Sequence, residues 1–419
     1  MKNNRIAKTD DKKYPCCYER SEAIQQEPML SNASGLLRSA RNDGLNGTRN
    51  GEQGDDCNDR QLSLSHGTVP LPAFFPDATR GVVRTVDSTD LLNCGVQGLV
   101  MNTYHLMTKP GPATIKSLGG LNRFAGWPRP IITDSGGFQV FSLIRENAAL
   151  GEIRPNEIIF RRDGKKTTLS PEKCIQSQLS YGSDVLMALD YCTHPNDPYE
   201  VQAKAVDTTI KWGRQCMDTF LRHGKVKGGK NISVPPQLFG IIQGGNEKTL
   251  RKECAAALLE MGYQGFGFGG WPLDENGKLT EEILAYTAEL IPSHMVKYAM
   301  GVGKPENIVA CVKMGFNLFD CVIPTREARH NRLYVFNEEF ERPGDVDLNL
   351  SFYKYMYPLD DIYRRDPRPI SALCDCHACT NYSRAYVRHL LSIGDGLGSR
   401  LATMHNLRFF TMLMEILRG

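Results

Sequence analysis

No stretch of this chain stays apolar for the ~18 residues that a membrane-spanning helix needs. Its first fifteen residues, MKNNRIAKTDDKKYP, have no hydrophobic centre of the kind a secretory signal carries. Nor does one charge dominate: 50 Lys and Arg stand against 47 Asp and Glu, a net charge of +3, too small to indicate a nucleic-acid surface by itself. These absences argue against a bilayer protein and a uniformly basic binder, and they make the cytoplasm the expected compartment. The 13 cysteines are then expected to be reduced, so a tight group of them reads as metal-binding rather than disulfide-forming. Tryptophan is scarce, with three in 419 residues, and one of them, Trp271, stands in a glycine-rich turn where a bulky ring is unexpected.

Residues 14–60 lack apolar periodicity. The stretch SNASGLLRSARNDGLNGTRNGEQGDDCNDR is rich in Asn, Gly, Asp, Arg and Ser, and reads as an unstructured insertion in a divergent N-terminal segment, residues 1–60. Its Cys16, Cys17 and Cys57 read as plain thiols. Beyond it, short apolar runs recur and alternate with helical patterns. They are GLVMNTYH (98–105), PIITDSGG (130–137), DVLMALDYCT (184–193), QLFGIIQGG (237–245), GFGFGGW (265–271), VKYAMGVGK (296–304) and NLFDCVIPT (317–325). Between them SPEKCIQSQLSYG starts with Ser170 as N-cap and Pro171 at the first helical position, and TLRKECAAALLEMG closes on Gly262. Seven strand-like runs alternating with helices predict an α/β fold, a (β/α)8 TIM barrel over residues 61–333. A zinc-binding subdomain with C-terminal helices is expected over residues 334–419.

Asp134, Asp190, Gln243, Gly269 and Asp320 each stand where a strand-like run gives out. In a barrel those ends meet at one mouth, where active sites of this fold lie. A single Asp there is more often a helix cap or turn former; five polar or glycine positions at the same kind of place make a site. In FGFGGWPLDENG (266–277), with Gly265 just ahead, glycines strip side chains from the backbone and leave it open to a close approach by a ligand.

CDCHACTNYSRAYVRHL places Cys374, Cys376 and Cys379 in a C-x-C-x-x-C arrangement. Three thiolates this close need a cation, and Zn²⁺ takes soft sulfur in tetrahedral geometry with a fourth ligand. His377 lies within the loop and is poorly placed to turn back. His405, on a later helical pattern, is favoured over His389. A closed Cys3His site has no open position, so this zinc, one per chain, is expected to be structural.

TDSGGFQVFSL sets Asp134 and Ser135 against a Gly-Gly turn, with Phe138 four residues on, which suits a flat ligand close to the backbone. Asp190 and Gln243 can hydrogen-bond the edge of a planar heterocycle. Asp320 is followed by Arg326, Arg329, His330 and Arg332, and a carboxylate beside clustered arginines fits chemistry on a phosphodiester-linked sugar. Alone, an Arg-rich loop is more often a solvated surface.

Together NTYHL, PGP, WPRPIITDSGGFQVFSL, LSPE, GIIQGG, MGVGKPENI, FDCVIPTR, CDCHAC and SRAYVRHL resemble the bacterial-type tRNA-guanine transglycosylases, from about Leu64 onward. The resemblance implies a zinc-bearing TIM barrel, a homodimer, that exchanges the guanine at the wobble position of certain tRNA anticodons for a 7-deazaguanine. It implies Asp320 as nucleophile and Asp134 as general acid/base. Ser135, Asp190, Gln243, Gly269, Gly270 and Trp271 would surround the base, with Phe138 and Met300 sandwiching it. It also implies contacts to the tRNA anticodon loop from Gly301, Val302, Gly303, Lys304, Pro305, Thr325, Arg326, Glu327, Ala328 and Arg329, and zinc on Cys374, Cys376, Cys379 and His405. The chain departs from the family at one strand end, where Gly-Gly-Leu and a small residue give way to Gly269, Gly270, Trp271 and Pro272, with Glu275 in place of the family's supporting glutamate. Because Pro272 has no N–H, the site is expected to take 7-aminomethyl-7-deazaguanine, with queuine, the bulkier base, as the alternative. A hydrolysing N-glycosidase, a non-catalytic relative and a barrel acting on another nucleic acid are the rival readings; the presence of both Asp134 and Asp320 weighs against the second.

Overall fold

In the computed structural model, residues 61–162, 165–224, 234–337, 342–349 and 351–419 are described. The segment 14–60, expected to be an unstructured insertion, lies outside them.

Eight parallel strands form one sheet: β1 (Ala73–Pro76), β2 (Leu99–Asn102), β3 (Ile131–Asp134), β4 (Val185–Met187), β5 (Gln237–Ile242), β6 (Gly265–Phe268), β7 (Val296–Ala299) and β8 (Leu318–Cys321). Each of β2 to β8 pairs with its neighbour in chain order, and β8 pairs with β1 in the register Asp320 with Phe75. The sheet closes through a bridge between Asp77 and Val100. There the Ala78 amide donates to Val100 O at 2.7 Å and the Asn102 amide to Thr79 O at 3.2 Å. The expected (β/α)8 barrel is the observed fold.

The seven apolar runs each contain one of β2 to β8. β1 escaped notice because LPAFFPD is bracketed by Pro72 and Pro76, and proline argues against a central strand. Here the two prolines lie just before the strand and at its last residue, which leaves the Ala73 amide free to donate to Asn317 O at 3.0 Å. The helices obey the cap signals. In Pro171–Tyr181, Ser170 Oγ accepts from the Lys173 amide at 3.2 Å, and Lys248–Glu260 ends just before Gly262, whose φ is +81°.

Side chains alternate along the strands, and this aims the site. Phe75, Val100, Ile132, Ile241, Tyr298 and Leu318 fill the barrel interior. Two residues further on, with the same inward parity, stand Asp77, Asn102, Asp134, Gln243, Met300 and Asp320 at the carboxyl-end mouth. The opposite end is covered by the hairpin Gln61–Leu64/Gly67–Pro70, whose Leu62, Leu64 and Val69 join the interior cluster.

The long helix Gly396–Arg418 lies against β1. Phe410 meets Phe74 with ring centroids 4.8 Å apart, and Arg418 Nη1 donates to Pro72 O at 2.8 Å. One apolar cluster therefore runs from Phe74 and Phe319 of the barrel to Cys374, Phe409 and Phe410. Among the described residues no helix is long and apolar enough to cross a membrane.

Candidate active site and metal-binding group

Asp134, the last residue of β3, is held by its neighbours. Asn102 Nδ2 donates to Oδ2 at 2.7 Å, while the amides of Thr103 and Gly136 donate to Oδ1 at 3.1 and 3.0 Å. Burial pushes its carboxyl up to about 7 against those hydrogen bonds, and Asp320 and Asp77 add like-charge repulsion. Asp320 is buried near the end of β8, where its Oδ1 accepts from the Gly301 amide at 2.9 Å. Burial raises it to about 6, opposed by that amide and by a hydrogen bond from Tyr298. Two carboxylates at one mouth, shifted into the neutral range, are the arrangement that acid–base chemistry with a nucleophile requires.

Beside them a cavity is lined by Asp134, Ser135, Phe138, Asp190, Cys192, Gly269, Gly270, Trp271, Pro272, Leu273 and Met300. Of these, Asp190 accepts on Oδ2 from Gln243 Nε2 at 2.6 Å, and Ser135 Oγ lies 3.5 Å from its Oδ1. Burial raises Asp190 to about 6 despite these donors. Among the described residues Gln243 Oε1 is buried with no hydrogen-bond partner, an acceptor waiting for a donor.

The glycines of β6 carry a correction. Sequence alone suggested that they admit a ligand; most admit the protein itself. A Cβ on Gly265 would come within 2.7 Å of the Phe239 ring, one on Gly267 within 2.8 Å of Met300 Sδ, and one on Gly269 within 2.6 Å of Gln243 Nε2. Only Gly270, at φ +94°, meets nothing closer than 3.8 Å. Behind this turn the buried Arg251, which the sequence did not single out, donates to Gly245 O at 2.9 Å, Ile242 O at 2.6 Å and Gly269 O at 2.9 Å, and its guanidinium lies 4.1 Å from the Phe268 ring centroid.

Trp271 packs beside Phe138 and His194, with centroids 5.8 and 5.6 Å away, and among the described residues its buried indole N–H has no acceptor. Among the described residues nothing donates to the Trp271 carbonyl, whereas Pro272 O accepts from both the amide and the hydroxyl of Thr280 at 3.0 Å. Glu275 corrects a second expectation. The bridge between Leu273 and Leu279 and the turn at Asp274–Gly277 carry it into solvent, and it makes no described hydrogen bond to the Trp271–Pro272 peptide.

Cys374, Cys376, Cys379 and His405 meet as one buried group whose ligand atoms lie within 4.8 Å of one another. His405 Nδ1 is 3.3 Å from Cys379 Sγ and 3.8 Å from Cys376 Sγ. Its Nε2 donates to Tyr334 O at 2.7 Å, which fixes the tautomer and leaves Nδ1 as a lone-pair donor. The group has the donor set and the closed geometry to hold a metal ion. His389 and His377 are not part of it.

The family model for queuine tRNA-ribosyltransferase matches residues 60–419. The chain belongs to that family. A queuine tRNA-ribosyltransferase of Halothermothrix orenii is 39% identical over 362 residues, 86% of this chain and 88% of that protein. One from Aromatoleum aromaticum is 40% identical over 361 residues, 86% of this chain and 90% of its own length. A relative of the same name from a Psychrobacter species is 38% identical over 359 residues, 85% and 88% of the two chains.

Against this family background, the ten residues expected at the RNA divide by exposure. Gly301, Lys304 and Arg329 are partly open, whereas Val302, Gly303, Pro305, Thr325, Arg326, Glu327 and Ala328 are buried. Gly303 is a packing glycine, since a Cβ there would come within 2.4 Å of Cys321 Cβ. Arg326 Nε lies 3.5 Å from Glu327 Oε1, and Glu327 is paired to Arg332 at 2.9 Å. Sequence reasoning missed three polar groups of this family member's mouth: Asn102, Tyr298 and Asp77. Asn102 could have been found, for it ends the GLVMN run as Asp134 ends its own.

Proposed function

We propose that the chain is a tRNA-guanine transglycosylase that replaces guanine at wobble position 34 of GUN anticodons with a 7-deazaguanine, through a ribosyl-aspartate intermediate. The observation that carries this is the pair Asp134 and Asp320, both raised into the neutral range beside the cavity of Phe138, Asp190 and Met300. Asp320 attacks C1′ as the C–N bond to guanine breaks, and Asp134 gives the leaving base its proton. The incoming base then returns a proton to Asp134 and displaces Asp320, so two inversions give net retention. A base stacked between Phe138 and Met300 keeps water from the covalent intermediate. Asp190, Gln243 and Gly270 read the base edge; the unpartnered Gln243 Oε1 is available to a base N–H. Ser135 and Gly269 brace that edge, and the partly open Gly301, Lys304 and Arg329 face the anticodon loop. Cys374, Cys376, Cys379 and His405 hold one Zn²⁺, which ties that region together and takes no part in the exchange. The reading includes a homodimer.

Labelled-guanine exchange on purified tRNA, with release of free ribose ends scored separately, tests it. Exchange without hydrolysis is expected; hydrolysis alone would make the chain an N-glycosidase. The rate should follow a bell in pH. Below about 6 Asp320 gains a proton and loses nucleophilicity, and above about 7 Asp134 loses the proton that guanine needs, so kcat/KM should be greatest between them. A profile flat from pH 5 to 9 would contradict these roles.

The base is proposed to be 7-aminomethyl-7-deazaguanine. The open Trp271 carbonyl can accept from an ammonium, Pro272 has no N–H for an acceptor, and Thr280 pins the Pro272 carbonyl so that this stretch cannot readily turn over. Leu273 and Cys192 narrow the cavity against a cyclopentene substituent. kcat/KM should therefore be at least ~10-fold higher for the aminomethyl base than for its nitrile, about what one charge-assisted hydrogen bond provides. Equal use of the nitrile would sink the argument and direct attention to the unpartnered Trp271 indole as a donor. A preference for queuine would mean a wider pocket.

A further inference from the structure

The mouth holds a third carboxylate. Asp77 follows β1, the strand between β8 with the nucleophile and β2 with the residue that holds the acid. Its amide lies 3.5 Å from Cys321 O, and its backbone forms the bridge to Val100 that closes the barrel. By strand parity it points inward, two residues beyond the interior Phe75, which is paired with Asp320. Thr79 donates its hydroxyl to Asp77 Oδ1, and its backbone amide is a second donor to the same carboxyl. The residue is half-buried. Its charge is felt by both Asp134 and Asp320, and the cations that face it are Arg84 and Arg329. Placing a repulsive carboxylate against two others works against all three, which a closing turn alone does not require.

We propose that Asp77 accepts a hydrogen bond from a ribose hydroxyl of the target nucleotide, the 2′-hydroxyl next to the attacked C1′, and so makes the exchange specific for RNA. This rests on the exchange reaction proposed above. A glycosyl centre going through an oxocarbenium-like state strengthens the hydrogen bonds made to the neighbouring hydroxyl, so a carboxyl acceptor there acts more on the transition state than on the ground state. The 2′-hydroxyl is also the group by which a protein distinguishes RNA from DNA at one nucleotide. Thr79 orients the Asp77 carboxyl, whose further lone pairs remain for the sugar.

The test compares two synthetic anticodon stem-loops, identical except for a 2′-deoxy sugar at the target guanosine. Asp77→Ala, which removes the acceptor, should lower kcat on the ribose substrate by about 100-fold with little change in KM. Asp77→Asn, isosteric and left with a neutral acceptor, should lower it by about 10-fold. Both should change the slower rate on the deoxy substrate far less than the rate on the ribose substrate, so the ribose-to-deoxyribose ratio should collapse. Parallel losses on both substrates, or an unchanged ratio in both variants, would overturn the assignment and leave Asp77 as a closing residue of the barrel. Should Asp77→Ala fail to fold, the Asn variant, with its melting temperature and free-base affinity checked, decides alone. Wild-type protein that exchanges no base in either stem-loop would remove the proposed function, and this inference with it.

Discussion

Asp320→Asn should reduce guanine exchange by on the order of 10⁴-fold or more and abolish the covalent tRNA adduct trapped on denaturing gels. The amide has the size and shape of the carboxylate and can still accept from the Gly301 amide, so the variant should fold, bind the free base and melt close to the parent. What it lacks is a nucleophilic oxygen. The matching Asp134→Asn variant should also lose turnover, by a different route. It keeps Asp320 able to attack but has no proton to give the leaving base, so a good leaving group in place of guanine should restore part of its rate. Near-native exchange by Asp320→Asn, alongside an inactive Asp134→Asn, would show the two roles to be reversed.

Loss of the metal should be felt in stability before chemistry. The protein as purified should contain one zinc per chain, and Cys376→Ala should lose it. The three remaining ligands would leave a buried polar hole where His405 is already committed through Nε2 to Tyr334 O. A drop in melting temperature of about 5–10 °C is expected, the shift that a loss of roughly 3–5 kcal/mol produces in a chain of this size. The ratio of rates with the aminomethyl and nitrile bases should be unchanged in whatever fraction stays folded, because no metal ligand lines the base cavity. Fully active protein with zinc near zero would refute the assignment.

Much of this architecture could be read directly from the chain because its signals are local. Strands β2 to β8 are apolar runs that end in polar residues, and Ser170 and Gly262 punctuate helices by their own backbone chemistry. The Cys3His group was legible because sulfur spacing of this kind has few other uses, and a helix was needed to bring His405 across. The unreadable features are relational. β1 was hidden by its prolines, and with it went Asp77, whose interest comes only from β8 and β2 closing on either side. Arg251 looks like an ordinary helical arginine in LRKEC until the turn folds back and presents three carbonyls to it. The β6 glycines signalled close approach correctly, but the approaching groups, Phe239, Met300 and Gln243, come from other strands. For the same reason Glu275 could be aligned by order along the chain, yet the Leu273–Leu279 bridge turns it away from the peptide.

The helix Gly396–Arg418 has a consequence for how the molecule is made. It braces β1 through Phe410 and Arg418, donates from the Thr411 hydroxyl to Cys94 O at 2.6 Å and, through Asn406 Nδ2, donates to Pro324 O at 3.0 Å beyond β8. The seam where β8 meets β1 joins residues about 245 positions apart, and its external brace comes from a segment that leaves the ribosome later still. A nascent chain can stack β2 to β7 in order as they emerge, but β1, bridged only to β2, keeps its other edge open until β8 follows about 245 residues later. The aromatic and apolar residues of that first strand are thus the chain's main exposure to mispairing during synthesis. A ribosome stalled before residue 396 would hold a nearly complete barrel lacking the brace along its seam.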